Sequence, residues 1–164
     1  MQIAQPPGAR SCRSGDGPGV GGSWKHVGDP SLPTPIAELR DVITACAPVD
    51  RAVLFAEVTH LLNRAESGEL EFVRGTGRDR SGDVDLMETT GCVLELRLTT
   101  RTGASNGRRH VRFYFIEPSR HDRLLLGLKV ASKSPGRIGL DEQTRHALEA
   151  RSRAEAWEIT RQQV

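Results

Sequence analysis

The stretch CVLELRLT, residues 92–99, decides the fold class. Its leucines at 94, 96 and 98 alternate with Glu95 and Arg97, and this two-residue period is that of a β-strand with one apolar and one polar side. A helix would instead repeat its apolar positions every three or four residues. The stretch therefore predicts a strand with one side turned to the core.

Two further strands follow it. Residues 109–117 alternate Val111, Phe113 and Phe115 with Arg112 and Tyr114. Residues 123–130 are expected to place Leu124, Leu126, Leu128 and Val130 on one side, with Leu125, Gly127 and Lys129 on the other. The connections 101–107 and 118–122 are turn-rich and short, which favours antiparallel hairpins.

Helical patterns flank the strands. Thr34 and Pro35 predict a helix start, and Pro48 ends that run. Asp50 is expected to cap a second helix that Gly68 ends. A last helix is predicted from Asp141 to about Gln162. The expected fold is α+β: an N-terminal helical hairpin, a twisted antiparallel sheet of three to four strands, possible extra strand 70–73 included, and a C-terminal helix. We expect the helices to pack on one side of the sheet.

The chain divides at about residue 34. Residues 1–33 are rich in Gly, Pro and Ser and are expected to be disordered, whereas residues 34–164 form the domain. Residues 74–88 are expected to be an acidic loop. The three cysteines form no CxxC pair, so neither a zinc knuckle nor a disulfide framework is indicated. With no apolar run near the roughly 20 residues of a membrane helix, we expect a cytoplasmic protein without a membrane partner.

Positive charge is concentrated in the strands. Residues 97–133 hold 9 Lys and Arg but only 2 Asp and Glu. The alternation predicts that Arg97, Arg112, Tyr114 and Lys129 share one exposed face, with Lys133 and Arg137 at its rim. Such a face is suited to phosphates and to stacking a base on Tyr114. By charge alone, a solvated surface is an equal alternative.

Three motifs resemble the phage-derived, HigB-like branch of the RelE toxin superfamily. Residues 92–97, CVLELR, are similar to its L-x-E-L-R strand, and residues 110–115, HVRFYF, to its central strand of Tyr-Arg and two hydrophobic residues. Residues 124–129, LLLGLK, followed by Lys133-Ser134-Pro135, resemble its L-L-h-G-F-x-K-K-S ending, where h is hydrophobic. The resemblance covers about residues 48–160.

The resemblance implies the toxin of a type II toxin–antitoxin pair that cuts mRNA on the ribosome. Such enzymes use no metal or other cofactor: the RNA 2′-OH attacks the adjacent phosphate while basic residues stabilise the developing charge. Carried over by position, the catalytic candidates are Arg112, Lys129, Lys133 and Arg97. The RNA-binding candidates are Arg109, Tyr114 and Arg137. The implied partners are mRNA, the ribosome and a cognate antitoxin of helix-turn-helix type.

Other interpretations stay open at this point. A gyrase inhibitor of the related ParE-like branch keeps the fold without a nuclease site, and a basic nucleic-acid-binding adaptor needs no catalysis. Members of the family often carry a catalytic Tyr or His near the C-terminus, but here no Tyr follows Tyr114, and His146 is expected to be a solvated helix residue. Arg112 has a structural alternative as well, an ion pair with Glu95 or Glu117 across neighbouring strands.

Overall fold

The computed structural model of the chain describes residues 21–29, 31–75, 80–104 and 107–162. Three helices and five strands follow one another along these residues. In order they are β1 (Ser23–His26), α1 (Pro35–Ala45), α2 (Pro48–Ser67), β2 (Val84–Leu86), β3 (Leu94–Ala104), β4 (Gly107–Ile116), β5 (Leu124–Lys133) and α3 (Gly136–Gln162). The α+β class is confirmed.

The helix boundaries follow local signals. Thr34 begins α1, because its side-chain oxygen accepts a hydrogen bond from the backbone of Ala37 at 3.2 Å. Gly68 ends α2 in the left-handed conformation, with a φ of 72°. The expected cap at Asp50 is wrong: α2 already begins at Pro48, and Ala47 before it offers no side-chain cap.

The five strands form one mixed sheet in the order β1-β5-β4-β3-β2. Strands β2 to β5 are antiparallel neighbours, as expected for the three predicted strands, but β1 lies parallel to β5 at one edge. At the other edge, β2 arises from the segment expected to be an acidic loop. Its Val84 is fully buried opposite Leu96, whereas the proposed extra strand at 70–73 contributes only an isolated bridge from Phe72 to Val84.

Helices cover both sides of the sheet, so the prediction that they lie on one side is wrong. The hairpin face, which carries Leu94, Leu96, Phe113 and Phe115, packs against apolar side chains of α1 and α2. The opposite side, here the α3 face, carries Glu95, Arg97, Arg112, Tyr114 and Lys129. Small residues of α3 allow the helix to lie close on that face, namely Ala147, Ala150 and Ala154.

A β-bulge in β5 changes which residues share a side. Tyr114 pairs with Lys129 and the next residue of β4, Phe115, pairs with Gly127, which leaves Leu128 as an extra residue. Leu126 and Leu128 therefore both pack toward α3, and Val130 packs toward the hairpin face. The predicted uninterrupted alternation along residues 123–130 is wrong, because a bulge reverses the alternation after it.

Part of the expected tail belongs to the fold. Residues 23–26 form β1, with hydrogen bonds from Ser23 N–H to Arg123 O at 2.9 Å and from Val27 N–H to Gly127 O at 3.0 Å. The expectation of disorder up to residue 33 is thus wrong for this segment. Trp24 and Val27 pack into the core, although the glycine-rich composition around them predicted disorder. Residues 1–20 lie outside the described residues.

Trp24 offers a test of whether β1 belongs to the domain. Its ring contacts Phe113 and Phe115 edge-on, with centroids at 5.4 and 5.2 Å, and its Nε1 donates to Leu62 O at 3.0 Å. We expect Trp24→Ala to lower the free energy of unfolding by about 3 kcal/mol in urea titrations. The exposed neighbour Lys25 is the control, since Lys25→Ala should change it by less than about 0.5 kcal/mol. Equal stability of the two variants would contradict the assignment.

Candidate functional site

The candidate catalytic residues lie together on the α3 face, as predicted, but they are not exposed together. Arg97 lies directly opposite Arg112 across β3 and β4, and Tyr114 lies opposite Lys129 across β4 and β5. Arg112, Tyr114 and Lys129 are buried, because α3 packs over them. The prediction of one open basic face is therefore wrong for its centre.

Arg112 forms a buried ion pair with Glu95. Its Nε lies 2.9 Å from Glu95 Oε1, and its Nη1 donates to the backbone oxygens of Val111 at 2.8 Å and Leu98 at 3.2 Å. Arg112 is 6% exposed and Glu95 only 1%. These contacts realise the structural alternative for Arg112, a cross-strand pair with Glu95, and they leave little of its guanidinium accessible to a ligand.

Tyr114 is fully buried and cannot stack on a base in this conformation. Its ring meets the His146 ring of α3 edge-on, with centroids 6.3 Å apart. Burial raises the pKa of Tyr114 well above its usual value, and the Glu95 carboxylate nearby raises it further. The expectation that His146 is a solvated helix residue is likewise wrong. It is half-buried, and burial lowers its pKa, as do Lys129 and Arg145.

Lys129 belongs to a network that joins three elements. Its Nζ lies 3.0 Å from Glu149 of α3 and 3.4 Å from Glu38 of α1. Arg153 pairs with the same two carboxylates, at 2.7 Å to Glu38 and 3.1 Å to Glu149, and also donates to Leu128 O at 2.9 Å. Lys129 thus links both helices to β5 through ion pairs. Its charge is already compensated, which weakens its case as a phosphate ligand.

The two remaining RNA-binding candidates differ in accessibility. Arg109 is half-buried and connects β4 to the start of α3. Its guanidinium donates hydrogen bonds to the hydroxyls of Ser132 and Ser134 at 2.9 Å and to the Glu142 carboxylate at 3.2 Å. Arg137 is exposed in the first turn of α3. Only Arg137 is therefore presented to solvent in the way that the sequence predicted.

A cationic cluster remains where the α3 face is least covered. It consists of Arg80, Arg97, Arg112 and Lys133. Arg97 is half-buried, and within the described part of the chain its side chain has neither a hydrogen bond nor an ion pair. Lys133 is also half-buried, and its Nζ donates to the amide oxygen of Gln143 at 2.5 Å without a carboxylate partner among the described residues.

Electrostatics in this cluster favour the arrival of an anion. Burial lowers the pKa of the Arg97 guanidinium, and the neighbouring Arg112 and Arg80 lower it further. Burial also lowers the pKa of Lys133, where Arg112 and Arg97 act in the same direction against the attraction of Glu95. A bound anion offsets the repulsion between like charges that are held close together at a partly dehydrated surface.

Sequence reasoning missed three residues of this region. Gln143 of α3 donates to Glu95 at 2.6 Å while accepting from Lys133, so it joins the buried pair to the cluster. Arg80 forms an ion pair with Asp85 of β2. His110 lies directly across from Lys133 and, by the alternation of β4, on the same side of the sheet as Arg112. Glu95 was visible in the strand pattern, but a charge on a polar side does not reveal that a helix will cover it.

Comparisons with known proteins identify no relative: no family model, curated protein or solved structure matches the chain. Among the described residues, no three or more His, Cys, Asp or Glu side chains come together as a group that could hold a metal ion. No helix within the described ranges is long and apolar enough to cross a membrane. The site must be interpreted from its own geometry.

Removing Arg112 tests the buried pair. Arg112→Ala leaves the Glu95 carboxylate buried without its cation, so we expect a loss of about 3 kcal/mol in the free energy of unfolding. Arg137→Ala, which removes an exposed arginine, should cost less than about 0.5 kcal/mol in the same urea titration. A stability loss no larger for Arg112→Ala than for this control would show that the pair is not formed.

The half-buried histidines predict a pH dependence of stability. Burial holds the pKa values of His26 and His146 below the ordinary 6.5, so the unfolded chain binds more protons than the folded chain as pH falls. The contribution of these two histidines to the free energy of unfolding should be fully present above pH 6.5. It should decline as the pH falls from 6.5 through their lowered pKa values. We expect His146→Gln to flatten the slope between about pH 7.5 and 5.5, measured by urea unfolding. The exposed His60 is the control, and an equal change with His60→Gln would contradict the assignment.

Proposed function

We propose that this chain is the RNA-directed toxin of a type II toxin–antitoxin pair, an endoribonuclease that holds a phosphate at the cationic cluster. The observation that carries the proposal is the pair Arg97 and Lys133, two half-buried cations without carboxylate partners among the described residues. The resemblance of three motifs to the HigB-like branch supports it. The strands that carry these motifs, β3, β4 and β5, are neighbours in the sheet.

In the proposed reaction, Arg97 and Lys133 bind the phosphate and stabilise its growing negative charge. The 2′-oxygen of the RNA forms a bond to the adjacent phosphorus, the bond to the 5′-oxygen of the next nucleotide breaks, and a cyclic phosphate results. In this proposal His110, which is paired with Lys133 across β4 and β5, accepts the 2′-OH proton. The departing 5′-oxygen takes a proton from solvent.

The buried candidates have supporting roles in this proposal. Arg112 adds positive potential next to Arg97, and Glu95 fixes the orientation of Arg112. Arg112 is therefore a positioning residue. Lys129 holds α1 and α3 on β5 and does not touch the substrate. Arg137, exposed beside the cluster at the start of α3, extends the basic surface toward neighbouring phosphates.

A nucleic-acid-binding adaptor without catalysis is the second candidate. The burial of Arg112, Tyr114 and Lys129 favours it, because three of the side chains expected to act on RNA are not accessible. Both candidates bind RNA with an affinity that falls steeply with ionic strength through counterion release. Only the toxin cleaves it.

Cleavage of a reporter mRNA in a translating bacterial extract, mapped by primer extension, tests the proposal. We expect Arg97→Ala to reduce the rate on the order of 100-fold, as for loss of one preorganised donor, and Arg97→Lys to recover part of the loss. The melting temperature should stay unchanged, because the Arg97 side chain forms no hydrogen bond or ion pair among the described residues, and its backbone hydrogen bond to Asp83 O is kept in the variant.

The matched control is Arg120→Ala, which removes an exposed arginine from the opposite end of the sheet, in the β4–β5 connection. It should cleave like the wild type. Folded Arg97→Ala that cleaves at the wild-type rate would disprove the site. Salt-sensitive RNA binding without cleavage by the wild type would support the adaptor, and inhibition of gyrase supercoiling without RNA binding would point to the ParE-like alternative.

A further inference from the structure

A groove of about 610 Å³ runs along the C-terminal half of α3, whereas the cationic cluster meets the helix at Gln143, near its start. One wall is α3, with Ala156 and Trp157. The other is formed by residues 25–29, 32 and 33, among them Val27 and Leu32. The His121 ring packs edge-on against the Trp157 ring, with centroids 5.2 Å apart, and supports this apolar wall. None of these residues belongs to the proposed nuclease site.

The groove opens beside an unpaired strand edge. β1 pairs with β5 on one side only, through the inward N–H groups of Ser23 and Val27. Because successive residues of a strand direct their backbone groups to opposite sides, those of Trp24 and His26 point outward. Within the described residues, no strand lies there to receive them.

The rim of the groove carries two uncompensated cations. Lys25 is exposed on β1, and Arg161 is exposed on α3 with its guanidinium 4.6 Å from the Trp157 ring centroid. Neither has an ion pair among the described residues. The acidic residues of the rim are engaged instead: Glu149 with Lys129 and Arg153, and Asp29 with the backbone and hydroxyl of Ser31.

These features together select one kind of occupant. A second copy of the chain, paired edge to edge through β1, would bring two Lys25 side chains close together, and lysine on an edge strand is a common means of preventing such pairing. An extended segment with carboxylates meets no such repulsion. We infer that β1 and the adjacent groove bind an extended acidic segment of a partner protein, which adds a strand to the sheet beside β1.

The expected binding mode follows from strand geometry. The added strand lies about 4.8 Å from β1, and alternate side chains point toward the α3 side of the sheet. One apolar side chain enters the groove against Val27 and Trp157, and carboxylates near it pair with Lys25 and Arg161. The backbone of the segment satisfies the outward groups of Trp24 and His26, which makes binding depend on an extended conformation.

Selection from a library of random 12-residue peptides, displayed on phage, tests this inference on the full-length chain. Enriched peptides should carry Asp or Glu two residues before or after an apolar residue, because side chains on one side of a strand recur at every second position. In fluorescence anisotropy with the synthetic peptides, Lys25→Glu and Arg161→Glu should each weaken binding at least 10-fold. The control Arg74→Glu, at an exposed site near β2 on the opposite edge of the sheet, should leave binding unchanged. Methylation of alternate peptide nitrogens along one edge should abolish binding, because it removes the donors to β1.

Three results would overturn the inference: no enrichment, enriched peptides that bind Lys25→Glu as tightly as the wild type, or full binding by both N-methylated registers. A dimer in light scattering that Lys25→Glu dissociates would assign the edge to a second copy instead. Because neither Lys25 nor Arg161 lies in the cationic cluster, mRNA cleavage by these variants should equal that of the wild type, so failure here is distinguishable from failure of the proposed function.

Discussion

The pairing of charges beneath α3 is the constraint on which the rest of the structure depends. Because α3 covers the sheet face that carries Glu95, Arg112 and Lys129, it excludes water from these charged side chains. A charge that is buried without a partner is very unfavourable. Glu95 pairs with Arg112 within the sheet, and Lys129 shares Glu38 and Glu149 with Arg153. The Lys129–Glu149 pair and the hydrogen bond from Arg153 to Leu128 O join α3 to β5, and Glu38 extends the same network to α1 on the opposite side.

The division of the α3 face follows from this arrangement. Where alanines of α3 meet Ile116, Leu126 and Leu128, the face is an apolar core. Toward the β3–β4 hairpin, Gln143 is the contact from α3 to Glu95 and Lys133. The Arg97 side chain has no hydrogen-bond or ion-pair partner among the described residues. One face of one sheet thus changes along its length from packing surface to cationic site, and the proposed chemistry is confined to the second part.

The edge strand β1 gives the sheet a second exposed surface with basic residues, near the other end of α3 from the cationic cluster. Its parallel pairing with β5 is possible because the connection between the two strands is long and runs through α1, α2 and strands β2 to β4. The same strand leaves its outer backbone groups beside a groove with basic rims. A partner bound there lies near Trp157 and the last turns of α3, while the cationic cluster lies near its first turns, so the helix is in contact with both regions.

The sequence by itself determined what depends on neighbouring residues. The alternation in residues 92–99 and 109–117, the cap at Thr34 and the left-handed stop at Gly68 are local effects, and they appear where predicted. The common face of Arg97 and Arg112 also followed from the alternation. Only the tertiary structure decided that Arg112, Tyr114 and Lys129 are buried, because strand periodicity is the same for a solvated face and for one covered by a helix. The bulge at Leu128, the docking of β1 and the strand at Val84 depend on partners distant in the chain, and no local pattern encodes which partner a strand will find.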